Sequence, residues 1–229
     1  MPLSSGCNDH WNWNNNDKSH EVQLSGAKQL IAKFHPQWSN STAGVRGTRL
    51  LNGGRYYWEI DISPRIFGTS IMFGIGNQRA RLHVDAFVNM LGEDGNSWGL
   101  SHKGKLWNAT KHKTYIKPFK ENVATNIGIY FDGIRGTLTF YKDGQCLGLA
   151  FSGLHKITEP LFPIVCSTAA MSEMTLVVMR RDFLSLQDRC RDIIIHHITH
   201  EAHIHQLRLP LRIKKFISDG LTNFQYDLN

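Results

Sequence analysis

The chain has 229 residues, 41% of them hydrophobic and 20% charged, with a formal charge of +7. That length suits one large β domain with a small appendage, or two small domains, and the composition is that of folded material rather than a disordered or fibrous chain. No apolar run approaches the ~20 residues of a membrane-spanning helix, and the opening MPLSSGCNDHWNW has neither the basic nor the apolar region of a signal peptide.

Residues 1–20 are rich in asparagine and tryptophan, with WNWNNND at 11–17. Asparagine and aspartate favour turns, so this stretch is predicted to be a loop or extension that packs one or two tryptophans against the domain that follows. From 21 to 181 the signals are short strands separated by turns. Strands are predicted at 21–24 and 29–34, and at 55–62 (RYYWEIDI), after the Asn52-Gly53-Gly54 turn signal. Residues 70–76 (SIMFGIG) form a continuous apolar run that fits a strand covered on both faces, with Gly74 and Gly76 serving close packing. Further strands are expected at 97–100, 126–131, 137–141, 145–148, 161–166 and 174–179. Asp132-Gly133 and Asp143-Gly144 supply hairpin turns in a meander. Residues 84–91 read as a short helix or an irregular loop. Strands this short, with few helices between them, indicate an antiparallel β-sandwich.

The tail changes character. Ser185 is a candidate helix N-cap, and Leu186, Cys190, Ile193 and Ile194 follow at i, i+4, i+7 and i+8, one face of a helix that Ile198 and Ala202 prolong. After roughly five turns comes Leu209-Pro210-Leu211, then a second apolar period at Ile213, Phe216 and Ile217. Proline suits a helix start because its φ is set and its missing N–H is not needed there. The predicted tail is helix, break, helix.

Two independent sets of residues carry a resemblance. SLQDRCRDI at 185–193 resembles the elongin-binding box of SOCS boxes, and LPLR at 209–212 resembles the cullin box, although that family usually has a second proline where Arg212 stands. RYYWEI at 55–60, NSWGL at 96–100, GTLTFYKDG at 136–144 and LFPIV at 161–165 resemble the recurring segments of a SPRY domain. Together, from about Trp11 to about Phe216, the chain resembles the SPRY domain-containing SOCS-box family. CSTAA at 166–170 is most similar to the third, more divergent branch of it. The resemblance implies a mostly β fold: a SPRY-type antiparallel β-sandwich over 21–181, and a C-terminal α-helical SOCS box over 182–229. Within the latter lie an elongin-binding box at about 183–198 and a cullin box at about 207–217.

The same resemblance implies a function. The chain would be a substrate-recognition adaptor of a cullin–RING ubiquitin ligase. Leu186, Cys190, Ile193 and Ile194 would enter elongin C, which pairs with elongin B. Leu209, Pro210, Leu211 and Ile213 would approach a cullin, by resemblance cullin 5, with its RING protein. The sandwich would hold a short, asparagine-bearing peptide of the target. Carried over residue by residue, the peptide site falls on His35, Thr69, Phe87, Met90, Thr168, Ala169 and Ala170; Phe87 stands where the family has tyrosine, and the family's tryptophan is missing from 168–170. No cofactor is implied. The alternative is a stand-alone interaction module whose helices merely cap its own sandwich.

Other chemistries are weaker. Five of the twelve histidines lie in 196–205, and His196, His200 and His203 share a helical face as zinc ligands could. The spacing is one short of His-Glu-x-x-His, however, and no second ligand cluster accompanies it. No G-x-S-x-G or P-loop is present, so no intrinsic enzyme is expected. The four cysteines, Cys7, Cys146, Cys166 and Cys190, are scattered, as reduced thiols of a cytoplasmic or nuclear protein would be; the sequons at Asn40 and Asn108 then have no use. Basic residues read as dispersed, with Arg180-Arg181 and Lys214-Lys215 as the close pairs, so neither nucleic acid nor membrane is an expected partner.

Overall fold

The computed structural model describes residues 3, 6–182, 186–198 and 202–225. It divides into two compact units, Met1–Arg181 and Asp182–Asn229. The strands of the first, in chain order, are β1 (Cys7–Asn8), β2 (Trp13–Lys18), β3 (Val22–Ser25), β4 (Ile31–Phe34), β5 (Thr42–Gly47), β6 (Arg55–Ile62), β7 (Ile71–Gly76), β8 (His83–Val84), β9 (Ser97–Ser101), β10 (Lys105–Asn108), β11 (Lys111–Thr114), β12 (Thr125–Asp132), β13 (Thr137–Lys142), β14 (Gln145–Phe151), β15 (Phe162–Ser167) and β16 (Ser172–Arg181). They form two antiparallel sheets. One runs β14-β13-β12-β6-β16-β4-β3 with β1 against β16; the other runs β11-β10-β9-β7-β15-β5-β2 with β8 against β5.

The core between the sheets is built from inward residues of both, including the fully buried Trp13, Phe34, Trp58, Phe73, Phe131 and Phe140. Every residue of β7 is buried, because its two faces meet different partners. Ile71, Phe73 and Ile75 look into the sandwich. Met72 looks outward and packs with Ala80, Met90, Leu91, Ile164 and Cys166 into a second cluster on the opposite face. That second layer is why the sequence reads there as an unbroken apolar run. A Cβ at Gly74 would stand 2.0 Å from the Trp98 carbonyl oxygen, so β7 and β9 approach at a distance open only to glycine.

The N-terminal stretch packs Trp11 and Trp13 into the core, and two parts of it, β1 and β2, are strands. Cys7 and Asn8 pair with Arg181 and Arg180, and Trp13 and Lys18 pair with Gly47 and Val45 across a bulge that throws out the asparagines. The sheet here is specified by the two tryptophans and by ion pairs that composition does not reveal. Asp9 meets Arg49 and Arg181, and Arg46, itself buried, joins Asp17 and donates to the carbonyls of Asn77 (3.0 Å) and Ala80 (2.9 Å). At Asp9 burial outweighs both arginines and pushes the carboxyl above its ordinary range.

The two aspartate–glycine turns differ. Asp143 and Gly144 are both left-handed (φ 49° and 78°) and close a two-residue hairpin from Lys142 to Gln145. Asp132 instead opens a longer connection. Its Oδ1 accepts from the amides of Ile134 (3.1 Å) and Arg135 (2.9 Å), and its Oδ2 from Arg55 Nε (3.1 Å). β1, β2, β5, β8, β10 and β11 lie outside the strands expected from the sequence. The β10–β11 hairpin turns on Ala109 and Thr110 (φ 48° and 64°), residues that carry no turn signal. They are held there by Ala109 N–H to Asp94 O (2.8 Å) and Thr110 N–H to Gly92 O (3.0 Å). Residues 84–91 are irregular apart from the short bridge at β8.

The second unit contains α1 (Leu186–His196), α2 (Ala202–Gln206) and α3 (Leu211–Gln225). The single five-turn helix expected from the apolar period is therefore interrupted. His197 and Ile198, residues of middling helix propensity, stand outside any helix there. Ser185, the expected cap, lies outside the described residues. α3 begins where Pro210 predicts: its carbonyl accepts from Ile213 N (2.9 Å) and Lys214 N (3.1 Å). Ile204 and Ile217 form a small core of this unit with Ile194, Ile198, Leu207 and Ile213 against them. The Arg191 guanidinium lies 4.4 Å from the centre of the Phe216 ring, fastening α1 to α3.

Candidate functional site

One end of the sandwich gathers most of the predicted peptide-site residues. β4 and β15 finish there, and β5, β7 and β16 start there. The loops that join them are tied to one another. Thr168 N–H and its hydroxyl both donate to Ser70 O (2.8 and 3.0 Å), while Thr168 Oγ1 accepts from Ser70 N (2.9 Å). Ser39 Oγ donates to Thr168 O (2.7 Å). Thr42 Oγ1 donates to Ala86 O (2.6 Å) and accepts from Val88 N (3.0 Å), clamping the loop that carries Phe87.

Thr69, Phe87 and Ala170 present surface at this end: Phe87 is 50% exposed, and Thr69 and Ala170 are half-buried. His35, Met90, Thr168 and Ala169 do not, being 0%, 1%, 5% and 1% exposed. Met90 belongs to the second apolar cluster and lies against Gly44, so it holds the 84–91 segment to the sheet and cannot meet a ligand directly. Ala169 is pinned beneath the loop by its amide on Ser167 Oγ (3.0 Å) and its carbonyl on Ser172 Oγ (2.9 Å). These four are supports rather than contacts. Two exposed residues were not singled out from the sequence: Trp38 at 79% and Met171 at 39%.

Two strained backbone positions lie here as well. His35 and Met171 are both left-handed (φ 46° and 59°), and Met171 N–H bonds Phe34 O (2.9 Å) and His35 O (3.0 Å). Non-glycine residues held in this region commonly mark a functional loop, and each costs roughly 1–2 kcal/mol. Two buried hydroxyls at the same end, Ser41 and Ser70, have no hydrogen-bond partner among the described residues.

Two buried histidines brace this end. His35 Nε2 lies 3.0 Å from Ser167 O, and Nδ1 lies 3.7 Å from Glu21. His102 Nδ1 accepts from Ile71 N (3.0 Å), which requires that nitrogen to be unprotonated. Burial is the main cause pushing both rings below the ordinary histidine range. The unfolded chain therefore binds more protons, and stability is complete above about pH 6.5 and declines as the pH falls through that value. Urea denaturation is expected to show a lower midpoint at about pH 5.5 than at about pH 7.5; a midpoint that holds or rises on acidification would contradict neutral, buried rings.

Ser19, His83 and Asp85 form a hydrogen-bonded chain, with Ser19 Oγ 2.8 Å from His83 Nδ1 and His83 Nε2 2.9 Å from Asp85 Oδ1, which is the reverse of the ring orientation in a hydrolase triad. The arrangement does not support acyl transfer. Ser19 is 3% exposed, its hydroxyl accepts the Glu21 amide (3.1 Å), and its own N–H is spent on Gly44 O (2.8 Å). The Ser19 hydroxyl is thus closed off from solvent and cannot reach an acyl substrate. Among the described residues no group of three or more His, Cys, Asp or Glu side chains could hold a metal ion; the His196 side chain and His200 lie outside them. Among those residues, too, no helix is long and apolar enough to cross a membrane.

The second unit offers a different kind of surface. Leu186 is 78% exposed, Ile193 is 54% exposed and Cys190 is exposed, whereas Ile194 turns toward the Ile204–Ile217 core. The apolar stripe of α1 is thus divided, one side holding the helix to its own unit and the other in solvent. At the start of α3, Leu211 is 87% and Leu209 36% exposed, Pro210 is exposed, and Ile213 packs inward.

The SPRY domain family profile matches residues 55–180. The Xenopus tropicalis "SPRY domain-containing SOCS box protein 3" is 37% identical over 169 residues, which is 73% of this chain and 46% of that protein. The Drosophila melanogaster "Protein gustavus" is 32% identical over 219 residues, covering 90% of this chain and 77% of that one. The chain spans about half the length of the two Xenopus relatives it matches, 46% of each. Among solved structures, the SPRY domain of human HERC1 superposes with a TM-score of 0.58 at 14% identity, over 72% of this chain and 97% of that one; this likeness is one of fold.

Proposed function

The chain belongs to the SPRY family, and within it to the SPRY domain-containing SOCS box proteins; from that premise we propose that it is the substrate-recognition subunit of an elongin B/C–cullin–RING ubiquitin ligase. In this reading it catalyses nothing itself. It holds a target at the loop end of the sandwich and joins, through its helical unit, the machinery that carries ubiquitin, so that lysines of the target reach high effective concentration near the transfer site. The observation that carries the reading is the solvent-facing stripe of Leu186, Cys190 and Ile193. Spaced i, i+4 and i+7, they have the form of helix anchors for an apolar groove, which elongin C supplies, with elongin B bound to it. Ile194 supports the helix from behind. Leu209, Pro210 and Leu211 would meet a cullin, cullin 5 by family resemblance, with Ile213 bracing them from within.

The target would be a short peptide, asparagine-containing by resemblance, lying across Thr69, Phe87 and Ala170 and bordered by Trp38 and Met171. Loops fixed on a sandwich are suited to such binding, since the scaffold keeps their geometry while their side chains vary. The working place would be the cytoplasm, the nucleus or both. The test is reconstitution: the purified full chain is mixed with the elongin B–elongin C heterodimer and resolved by size-exclusion chromatography with light scattering. A stoichiometric ternary complex is expected. Separate elution of the chain at micromolar concentrations would sink the ligase reading and leave a stand-alone SPRY module.

A further inference from the structure

Folding draws into one surface a set of lysines that lie in a single segment of the chain. Between Asp94 and Glu121 the chain carries six lysines, Lys103, Lys105, Lys111, Lys113, Lys117 and Lys120, and no carboxylate. Tyr115 N and Ile116 N both bond Gly104 O (2.9 and 3.1 Å), and Phe119 N bonds His102 O (2.8 Å). These bonds draw the segment after β11 back alongside the Lys103–Lys105 turn. All six lysines therefore collect at the β10–β11 border of one sheet, and none makes an ion pair with a carboxylate among the described residues. The nearest acids along the chain are engaged or flanking: Glu93 pairs with Arg81, and Asp94 bonds Asn96.

β11 is also the end strand of its sheet, and all four of its residues are exposed. The two-residue turn at Ala109 and Thr110 makes Asn108 and Lys111 a hydrogen-bonded pair. By alternation, His112 and Thr114 aim their N–H and C=O groups away from β10. An open ladder edge and a row of unneutralised ammonium groups thus coincide.

We propose that β11 is a second docking surface, one that takes an acidic, extended peptide segment as an added antiparallel or parallel strand. The main chain of the segment would bond His112 and Thr114, and its carboxylates would lie among the lysines. A lysine-bearing edge repels a second copy of itself, which keeps it open in the free protein; the same charges admit an acidic strand, so a single device both rejects and selects. An extended peptide fits better than a nucleic acid strand. The patch contains no arginine to fork onto phosphate, and the aromatic ring it presents is already used, since His112 lies stacked on Trp107 at 4.6 Å. This surface does not depend on the ligase assignment.

The test uses the full chain and a fluorescein-labelled peptide of alternating Glu and Val, about eight residues long to match a strand, read by fluorescence anisotropy. Saturable binding that weakens with added salt is expected. Lys111→Glu combined with Lys113→Glu should lower affinity by about tenfold or more, since each tenfold is ~1.4 kcal/mol, with the melting temperature unchanged because both side chains are exposed. A second arm leaves the protein untouched: methylating the peptide's valine amides blocks ladder bonding without altering charge and should also cost about tenfold. Absence of binding would overturn the proposal and leave the lysines as a guard against edge pairing. Equal binding of the methylated peptide would overturn it in favour of charge alone. A single-stranded oligonucleotide that binds and is not displaced by the acidic peptide would overturn it in favour of nucleic acid.

Discussion

Trp13→Ala is expected to destabilise the N-terminal unit by about 3–5 kcal/mol, the range for truncating a large aromatic in a closed core. Trp13 is fully buried. Its ring meets Trp11 edge-on at 5.7 Å, Trp11 in turn meets Trp58 at 6.1 Å, and Trp13 Nε1 donates to Leu30 O at 3.0 Å. Alanine would open a cavity between the sheets, remove one of the two hydrogen bonds that Leu30 O accepts (the other comes from Leu176 N at 3.0 Å) and loosen β2 from β5. Urea denaturation followed by circular dichroism measures the loss. Trp38→Ala is the control, because Trp38 is 79% exposed and its removal should move stability by no more than about 0.5 kcal/mol. A Trp13 variant within about 1 kcal/mol of the parent would mean that the first twenty residues are dispensable packing rather than part of the sandwich.

Leu186→Asp combined with Cys190→Asp should reduce capture of the elongin heterodimer by at least about a hundredfold, or ~2.7 kcal/mol. Both side chains are exposed in the free chain, so a carboxylate at either position costs nothing until a partner covers it; on assembly it would be buried in an apolar groove without a counter-charge. Thermal melting should therefore be unaltered. Ile194→Asp should behave oppositely, lowering the stability of the helical unit itself, since Ile194 packs on the Ile204–Ile217 core. Isothermal titration calorimetry against the elongin heterodimer separates the cases. Retention of parental affinity by the double variant would dissociate the stripe from elongin binding.

The sandwich was legible wherever strand periodicity and turn chemistry agree. Residues 55–62 are the whole of β6, and Asp143-Gly144 closes its hairpin as two left-handed residues must. It was illegible where one of the two signals is missing. β5, TAGVRG, is made of small residues around a buried arginine whose partners lie in other segments. The β10–β11 hairpin bends at Ala109 and Thr110, held by amide bonds to Gly92 and Asp94 that no local pattern encodes. β2 hides among asparagines that bulge from its ladder. At the candidate site, residues such as Thr69 and Phe87 could be placed by resemblance, but burial could not. Met90 and Ala169 proved to be braces, and Trp38 and Met171 emerged as exposed neighbours only once the loops were seen pinned together. In the tail the period located the apolar face of α1 without dividing it, because i+7 and i+8 look alike in a sequence and only α3 distinguishes Ile193 from Ile194.

The two left-handed residues at the loop end, His35 and Met171, hold each other in place through the Met171 N–H to His35 O bond. Their conformational cost is met when the chain folds, not when a ligand arrives. The recognition loops are in that sense preorganised. A peptide meeting them loses its own freedom on binding while the receptor gives up little, so encounter should resemble a key entering a cut lock, with affinity differences among targets residing chiefly in how slowly they leave.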